Sequence, residues 1–125
     1  KKLNISERVH FLGNIANPLG YINEAEMLVI SSLWEGLPRV AIEAQALKTP
    51  IISACSDGGL GEILMDGSAG ILSKENDIYE LKKSIEKYLI DKELSEFHAE
   101  HGFNNIDRFS LKNSAKEYLK ELERY

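Results

Sequence analysis

Cysteine is almost absent from this sequence: Cys55 stands alone among 125 residues. An internal disulfide and a cysteine-based zinc cluster are therefore excluded, and a reducing, cytosolic setting is the expectation. Basic residues are the minority, with 15 Lys and Arg against 20 Asp and Glu and a formal charge of −5. A general nucleic-acid surface needs a cationic face to displace phosphate counterions, so that class of function is set aside. An anionic small ligand held by backbone dipoles is still allowed. No apolar run approaches the ~18 residues needed to span a bilayer. The opening stretch KKLNISERVHFLG lacks the apolar core of a signal peptide. A soluble protein is expected.

What is present is ordinary for one globular domain: 43% hydrophobic and 28% charged residues, enough to bury a core but not two. Short apolar runs alternate with helical spacing. Val9–Leu12, Met27–Ser31, Ile51–Cys55 and Gly70–Leu72 read as strands apolar on both faces. Between them, Pro18–Glu24, Pro38–Leu47 and Gly59–Met65 read as helices. The alternation predicts an α/β fold, a Rossmann-like parallel sheet with flanking helices. Asn17 before Pro18 is an N-cap signal, Pro38 opens the next helix, and Asp66–Gly67 turns the chain into the last strand. Further helices are predicted over Ile78–Ile90, capped by Asp77 with Glu80, and over Lys92–Gly102. A last helix follows Ser110, with a stripe of Leu111, Ala115, Tyr118, Leu119 and Leu122.

The stretch Ser31–Glu43, SSLWEGLPRVAIE, carries the chemistry. A strand ends, a tight turn follows, and a helix starts. In an open parallel sheet, ligands bind outside the carboxyl ends of strands, where helix N-termini present unpaired N–H groups. Those amides and the helix dipole favour a phosphate. Gly36 lets a ligand approach the backbone without a Cβ in the way. Glu35 and Glu43, eight positions apart, can both face the cleft mouth and accept hydrogen bonds from sugar hydroxyls. Residue by residue, a dipole-balancing Glu35 and a solvated Glu43 remain the alternative. Arg39 opposes the dipole, so a phosphate or carboxylate partner would explain it.

The longer string WEGLPRVAIEAQALKTPIISACSDGGLGEILMDGSAGIL closely resembles the signature of the retaining GT-B glycosyltransferases of family 4, the group 1 glycosyltransferases. The pattern Glu-x7-Glu is met by Glu35 and Glu43, inside a frame that also includes Ser32, Gly36 and Ala44. Pro50, the Gly58–Gly59–x–x–Glu62 turn and the Asp66–Gly67–x–x–Gly70 turn follow in order. Val9–Gly13 and Arg108–Ser110 match the family's flanking strand and pre-helix motifs. The resemblance implies that Glu43 binds the nucleotide ribose and that Glu35 is the catalytic residue contacting the donor sugar. The backbone at Gly36, Leu37, Pro38 and Arg39 would hold sugar and diphosphate, with no metal or cofactor beyond the nucleotide-sugar itself.

The resemblance also implies that residues 1–125 are a partial C-terminal nucleotide-sugar-binding domain. Its first strand–helix units, with an Arg and a Lys for the diphosphate, and the N-terminal acceptor domain are missing, so no turnover is expected from this chain by itself. The longer enzyme would transfer sugar to a polysaccharide or lipid-linked acceptor, in the cytoplasm and peripheral to the inner membrane. In the family's strand order 3-2-1-4-5-6 the absent strands lie between Val9–Leu12 and Met27–Ser31. Either Val9–Leu12 moves over to pair with Met27–Ser31, or chains meet edge to edge. With the last helix's stripe also unpartnered, a homo-oligomer is expected. The family usually has glycine where Lys48 stands; a left-handed position there would cost a lysine ~1 kcal/mol.

Other residues carry less. Gly58 and Gly59 either turn backbone amides toward the donor or make a simple tight turn capped by Asp57. His98 and His101, beside Glu96 and Glu100, read as a solvated helix face rather than a metal site. Trp34 reads as packed against the neighbouring strand, with stacking on a sugar as the alternative. Three competing functions are a GT-B nucleotide-sugar epimerase, a response-regulator receiver and a non-catalytic interaction fragment. The receiver fails because the strand ending Ile30–Ser31–Ser32 offers no acidic residue for Mg²⁺.

Overall fold

A computed structural model describes residues 3–55, 57–73 and 77–124. Three parallel strands, β1 (Leu28–Ile30), β2 (Ile51–Ser53) and β3 (Ile71–Leu72), lie side by side in chain order. The register places Leu28 beside Ile51 and Ile52 beside Ile71. Parallel neighbours need a crossover, and helices supply it: α1 (Leu19–Glu24) precedes β1, α2 (Arg39–Ala46) joins β1 to β2, and α3 (Gly59–Ile63) joins β2 to β3. Then come α4 (Ile78–Ile90), α5 (Lys92–Asn104) and α6 (Leu111–Leu122).

The central strand explains the apolar run in its sequence. Ile51, Ile52 and Ser53 are all buried, because helices cover both faces of β2. On one face Ile51 packs with Ala41 and Ala44 of α2 and with Leu60 and Ile63 of α3. The small alanines let α2 sit close to the sheet. On the other face α4 brings Tyr88, fully buried, whose hydroxyl donates to the Ile51 carbonyl at 3.3 Å. Fully burying an Ile or Leu side chain is worth about 1.5–3 kcal/mol, so this face-to-face burial defines the core.

Caps fall largely where the sequence places them. Asn17 accepts from the Leu19 amide at 3.1 Å, Asp77 from Tyr79 at 2.7 Å, and Ser110 from Asn113 at 3.3 Å. Glu80 does not complete a capping pair; its carboxylate takes the Lys83 ammonium at 2.6 Å instead. Pro38 is still extended (ψ 111°) and acts as the cap residue of α2 rather than its first helical residue. Lys48 adopts φ 56°, the left-handed conformation that the family's glycine implied. The Lys48 amide donates to the Gln45 carbonyl at 3.1 Å and the Thr49 amide to Ala44 at 2.9 Å, a Schellman closure of α2.

Two further expectations fail. Val9–Leu12 is not a strand: it pairs with nothing in the described sheet, and Val9, Phe11 and Leu12 are exposed. A β-segment without a ladder partner has no hydrogen bonds to define it, so the route in which it pairs with β1 does not occur. His98 is buried rather than solvated. Its Nδ1 lies 2.8 Å from the Tyr88 hydroxyl, tying α5 to α4. The α6 stripe is exposed along its length, with Leu111, Tyr118, Leu119 and Leu122 facing outward.

Candidate functional site

The carboxyl ends of β1 and β2 lead into two turns that meet. After Ile30 the chain runs through Ser32 to Glu35; after Ser53 it runs through Cys55 to Gly58. Glu35 and Gly58 form an isolated parallel bridge that extends the β1–β2 pairing beyond the strands. The Gly59 amide donates to the Gly36 carbonyl at 2.5 Å and lies 3.3 Å from that of Glu35. Such closeness requires glycine. A Cβ on Gly58 would come 1.9 Å from the Glu35 carbonyl oxygen, and one on Gly59 would come 2.0 Å from that of Gly36. Gly58 also has φ +76°, which side-chain-bearing residues avoid.

The Gly58–Gly59 backbone faces the first turn and braces it. Asp57 does not cap α3; its amide turns back to the buried Cys55 Sγ at 3.2 Å.

Ser32 donates through Oγ to Glu35 Oε1 at 2.6 Å, fixing the half-buried carboxylate at the strand end. The sequence frame contained both residues but gave no role to Ser32; the i, i+3 spacing across the turn was the available signal. Glu43 sits one turn into α2, next to fully buried Ala44, with its side chain one-third exposed. Arg39, 90% exposed in its side chain, lies 3.9 Å from the Glu43 carboxylate, so the carboxylate partner for Arg39 is Glu43 itself. An exposed pair of this length contributes well under about 1 kcal/mol and leaves both groups available.

The N–H groups of Arg39 and Val40, in the first turn of α2, have no partner within the helix, whereas the Ala41 amide is taken by the Pro38 carbonyl at 3.0 Å. Pro38 is buried and, as proline, has no N–H to offer. The donors available around it belong to Gly36, Leu37, Arg39 and Val40. Leu37 is half exposed and Arg39 points outward, so the surface is open rather than enclosed. A cleft of about 580 Å³ opens instead at the amino ends of the strands, between Glu26, Lys48, Pro50, Lys92 and Glu100. It gathers none of the candidate donor-site residues Glu35–Arg39 and Glu43.

Trp34 does not pack on the neighbouring strand as one reading of the sequence had it: it is 68% exposed. His98 is no metal ligand through Nδ1, which is engaged by Tyr88. Burial, with Lys87 and His101 nearby, holds its pKa below the usual histidine value; burial also pushes the Tyr88 phenol well above its own.

This α/β sheet, with two interlocked turns at its carboxyl edge, has counterparts among known proteins. The family model described as glycosyl transferases group 1 matches residues 1–104. An uncharacterized glycosyltransferase of Methanocaldococcus jannaschii is 36% identical over 90 residues, covering 72% of this chain and 25% of that protein. The capsular polysaccharide biosynthesis glycosyltransferase CapM of Staphylococcus aureus is 28% identical over 121 residues, 97% of this chain and 31% of CapM. Among solved structures, sucrose-phosphate synthase from Thermosynechococcus elongatus superposes with a TM-score of 0.81 at 27% identity, covering 97% of this chain and 31% of that one. The chain belongs to the group 1 glycosyltransferase family. It spans a quarter to a third of the length of these proteins. Nothing in these matches supports the epimerase reading. Among the described residues, no helix is long and apolar enough to cross a membrane.

Proposed function

We propose that the turn Glu35–Arg39 and the helix α2 are the donor half of a retaining glycosyltransferase site. Glu43 takes the ribose hydroxyls of a nucleoside diphosphate, the amides of Gly36, Leu37, Arg39 and Val40 take the diphosphate, and Glu35 contacts the sugar. The carrying observation is the interlock of the two turns. It holds the Glu35 backbone by the Gly58 bridge and its carboxylate by Ser32, at the edge where a helix N-terminus presents free amides. The site as read needs no resident metal, because first-turn amides and the helix dipole supply the positive field.

In the longer enzyme the reaction is transfer of a sugar from a nucleotide-sugar to an acceptor. The acceptor is read as a polysaccharide or lipid-linked glycan, and CapM's role in capsular polysaccharide biosynthesis favours the polysaccharide. On this reading residues 1–125 are a partial C-terminal domain, inactive without the acceptor half. The longer enzyme works in the cytoplasm at the inner membrane surface. The outer edge of β1, unpaired among the described residues, and the exposed α6 stripe give this chain two routes to a homo-oligomer, which sedimentation at micromolar concentration resolves.

The direct test is an NMR titration of the chain with UDP and with GDP. Amide shifts at Gly36–Val40 and at Glu43 are expected, with a dissociation constant of roughly millimolar, about −4 kcal/mol. Shifts clustered elsewhere, or none at high ligand, would sink the reading.

A further inference from the structure

Trp34 is the single tryptophan of the chain, and it is 68% exposed at the edge where the donor is read to bind. Its indole lies beside two glycines. Cη2, on the benzene ring of the indole, lies 3.7 Å from where a Cβ on Gly36 would be. Nε1, on the pyrrole ring, lies 3.6 Å from the corresponding point on Gly58. The indole therefore reaches from the first glycine turn to the second, supported by backbone that is itself cross-bridged, while most of its surface remains open to solvent. Next to it, among the described residues, Ser32 is the one bonded partner of the Glu35 carboxylate and occupies Oε1. Oε2 is left to accept from an incoming hydroxyl.

A sugar ring presents two chemistries: hydroxyls around its edge and a C–H face above and below. An open carboxylate oxygen beside a braced, exposed indole offers a partner for each. A nucleobase would also stack on an indole, but the order of residues places it elsewhere. With Glu43 on the ribose and the first-turn amides on the diphosphate, the base lies beyond the ribose and the sugar lies at the Glu35 end, where Trp34 stands. We propose that Trp34 is a specificity-determining residue, its indole stacking on the C–H face of the donor's sugar while Glu35 takes a hydroxyl. The inference rests on the donor-site reading above and deepens it.

One titration separates the two. UDP and UDP-glucose are added in turn to the isotope-labelled chain, with GDP and GDP-mannose as parallel arms. Backbone amides at Gly36–Val40 report the donor site; the indole protons report Trp34. The expected result is amide shifts with all ligands of the preferred nucleotide, and intermolecular NOEs from the indole ring to sugar ring protons with its nucleotide-sugar. That nucleotide-sugar should bind about two- to tenfold tighter than the bare nucleotide. Trp34→Ala should abolish the difference without lowering the melting temperature, and Trp34→Phe should restore part of it. Amide shifts without indole-to-sugar NOEs overturn the inference and leave the donor site standing. So do NOEs from the indole to base protons, or a Trp34→Ala variant that keeps the full preference. Silence of the amides with every ligand overturns both.

Discussion

Gln45 donates through Nε2 to the carbonyl oxygen of Ile63 at 2.7 Å, and Arg108 donates to the same oxygen through Nη2 at 2.6 Å. The shared acceptor ties α2, which carries Glu43, to the end of α3 and to the 3-10 turn Ile106–Phe109. Gly102 of α5 closes over the amide, since a Cβ there would come 2.9 Å from Gln45 Nε2. Gln45 Oε1 and Arg108 Nε are both buried and, among the described residues, without partners.

A buried carbonyl with two donors tolerates the loss of one. Gln45→Leu removes a hydrogen bond worth about 1 kcal/mol but also removes an unpaired buried acceptor, so the two nearly cancel. Arg108→Leu leaves Gln45 on the carbonyl. The double variant orphans the Ile63 oxygen and should cost about 1–3 kcal/mol beyond the sum of the singles. Urea denaturation of the four proteins measures the coupling. Simple additivity would mean that the shared carbonyl is not what links these elements.

Lys48 offers a sign reversal. At an ordinary helical position alanine is favoured over glycine by about 1 kcal/mol. At φ 56° the order inverts, because a Cβ is disfavoured there. Lys48 also contacts Glu100 at 2.7 Å and lies 4.5 Å above the Phe103 ring, contacts that both variants lose equally. Lys48→Gly should therefore be more stable than Lys48→Ala by about 1 kcal/mol, readable as a higher melting temperature. Alanine equal to or above glycine would show that Lys48 is not held left-handed in solution.

The sequence made the sheet legible because its strands announce themselves: Ile51–Ser53 is apolar on both faces, and β2 is covered on both. The caps at Asp77 and Ser110 and the left-handed Lys48 were legible for the same reason, since each depends on chemistry local to the chain. Val9–Leu12 misled because strand propensity says nothing about whether a partner strand is present. Trp34 and His98 were misplaced through long-range packing that spacing cannot encode: one is stranded over two turns, the other drawn inward to Tyr88 from ten positions away. At the site, Glu35, Gly36, Arg39 and Glu43 were legible as a motif. The bracing role of Gly58 and Gly59 was not, because it depends on two turns twenty-odd residues apart in sequence meeting backbone to backbone.

His98 should make the stability pH-dependent. Tyr88 and Lys87 from α4 and His101 from its own helix face it, and burial is the main cause that depresses its pKa from the usual 6.5. The unfolded chain then binds a proton at a higher pH than the folded one. Stability from this residue is complete above about pH 6.5 and is lost as pH falls from there through the folded value. Melting curves between roughly pH 7.5 and 5 should fall for the wild type. His98→Gln, although less stable throughout, should fall less steeply. Parallel slopes would place the acid lability in the carboxylates alone.

Gly36 and Gly59 are two glycines of the same edge with opposite expected behaviour, and the contrast tests the whole account of the site. A Cβ on Gly36 would meet only the Trp34 ring at 3.7 Å, an ordinary contact, and the residue has no positive φ. Gly36→Ala should change stability by less than about 0.5–1 kcal/mol. If its backbone is where a diphosphate approaches, the same methyl group should still weaken UDP binding several-fold. A Cβ on Gly59 would lie 2.0 Å from the Gly36 carbonyl oxygen and 2.9 Å from Leu37 Cδ1. Backbone cannot yield as a side-chain tip can, so the two turns must part, breaking the amide bond to Gly36 and the bridge between Glu35 and Gly58. Gly59→Ala should cost about 2–4 kcal/mol and move the amide resonances of Glu35–Leu37 in the absence of any ligand. Thermal melts and ligand-free spectra of the two variants decide it. A destabilised Gly36→Ala would assign Gly36 to packing instead of ligand approach, and a stable Gly59→Ala with an unchanged spectrum would dissolve the interlock on which the donor site is built.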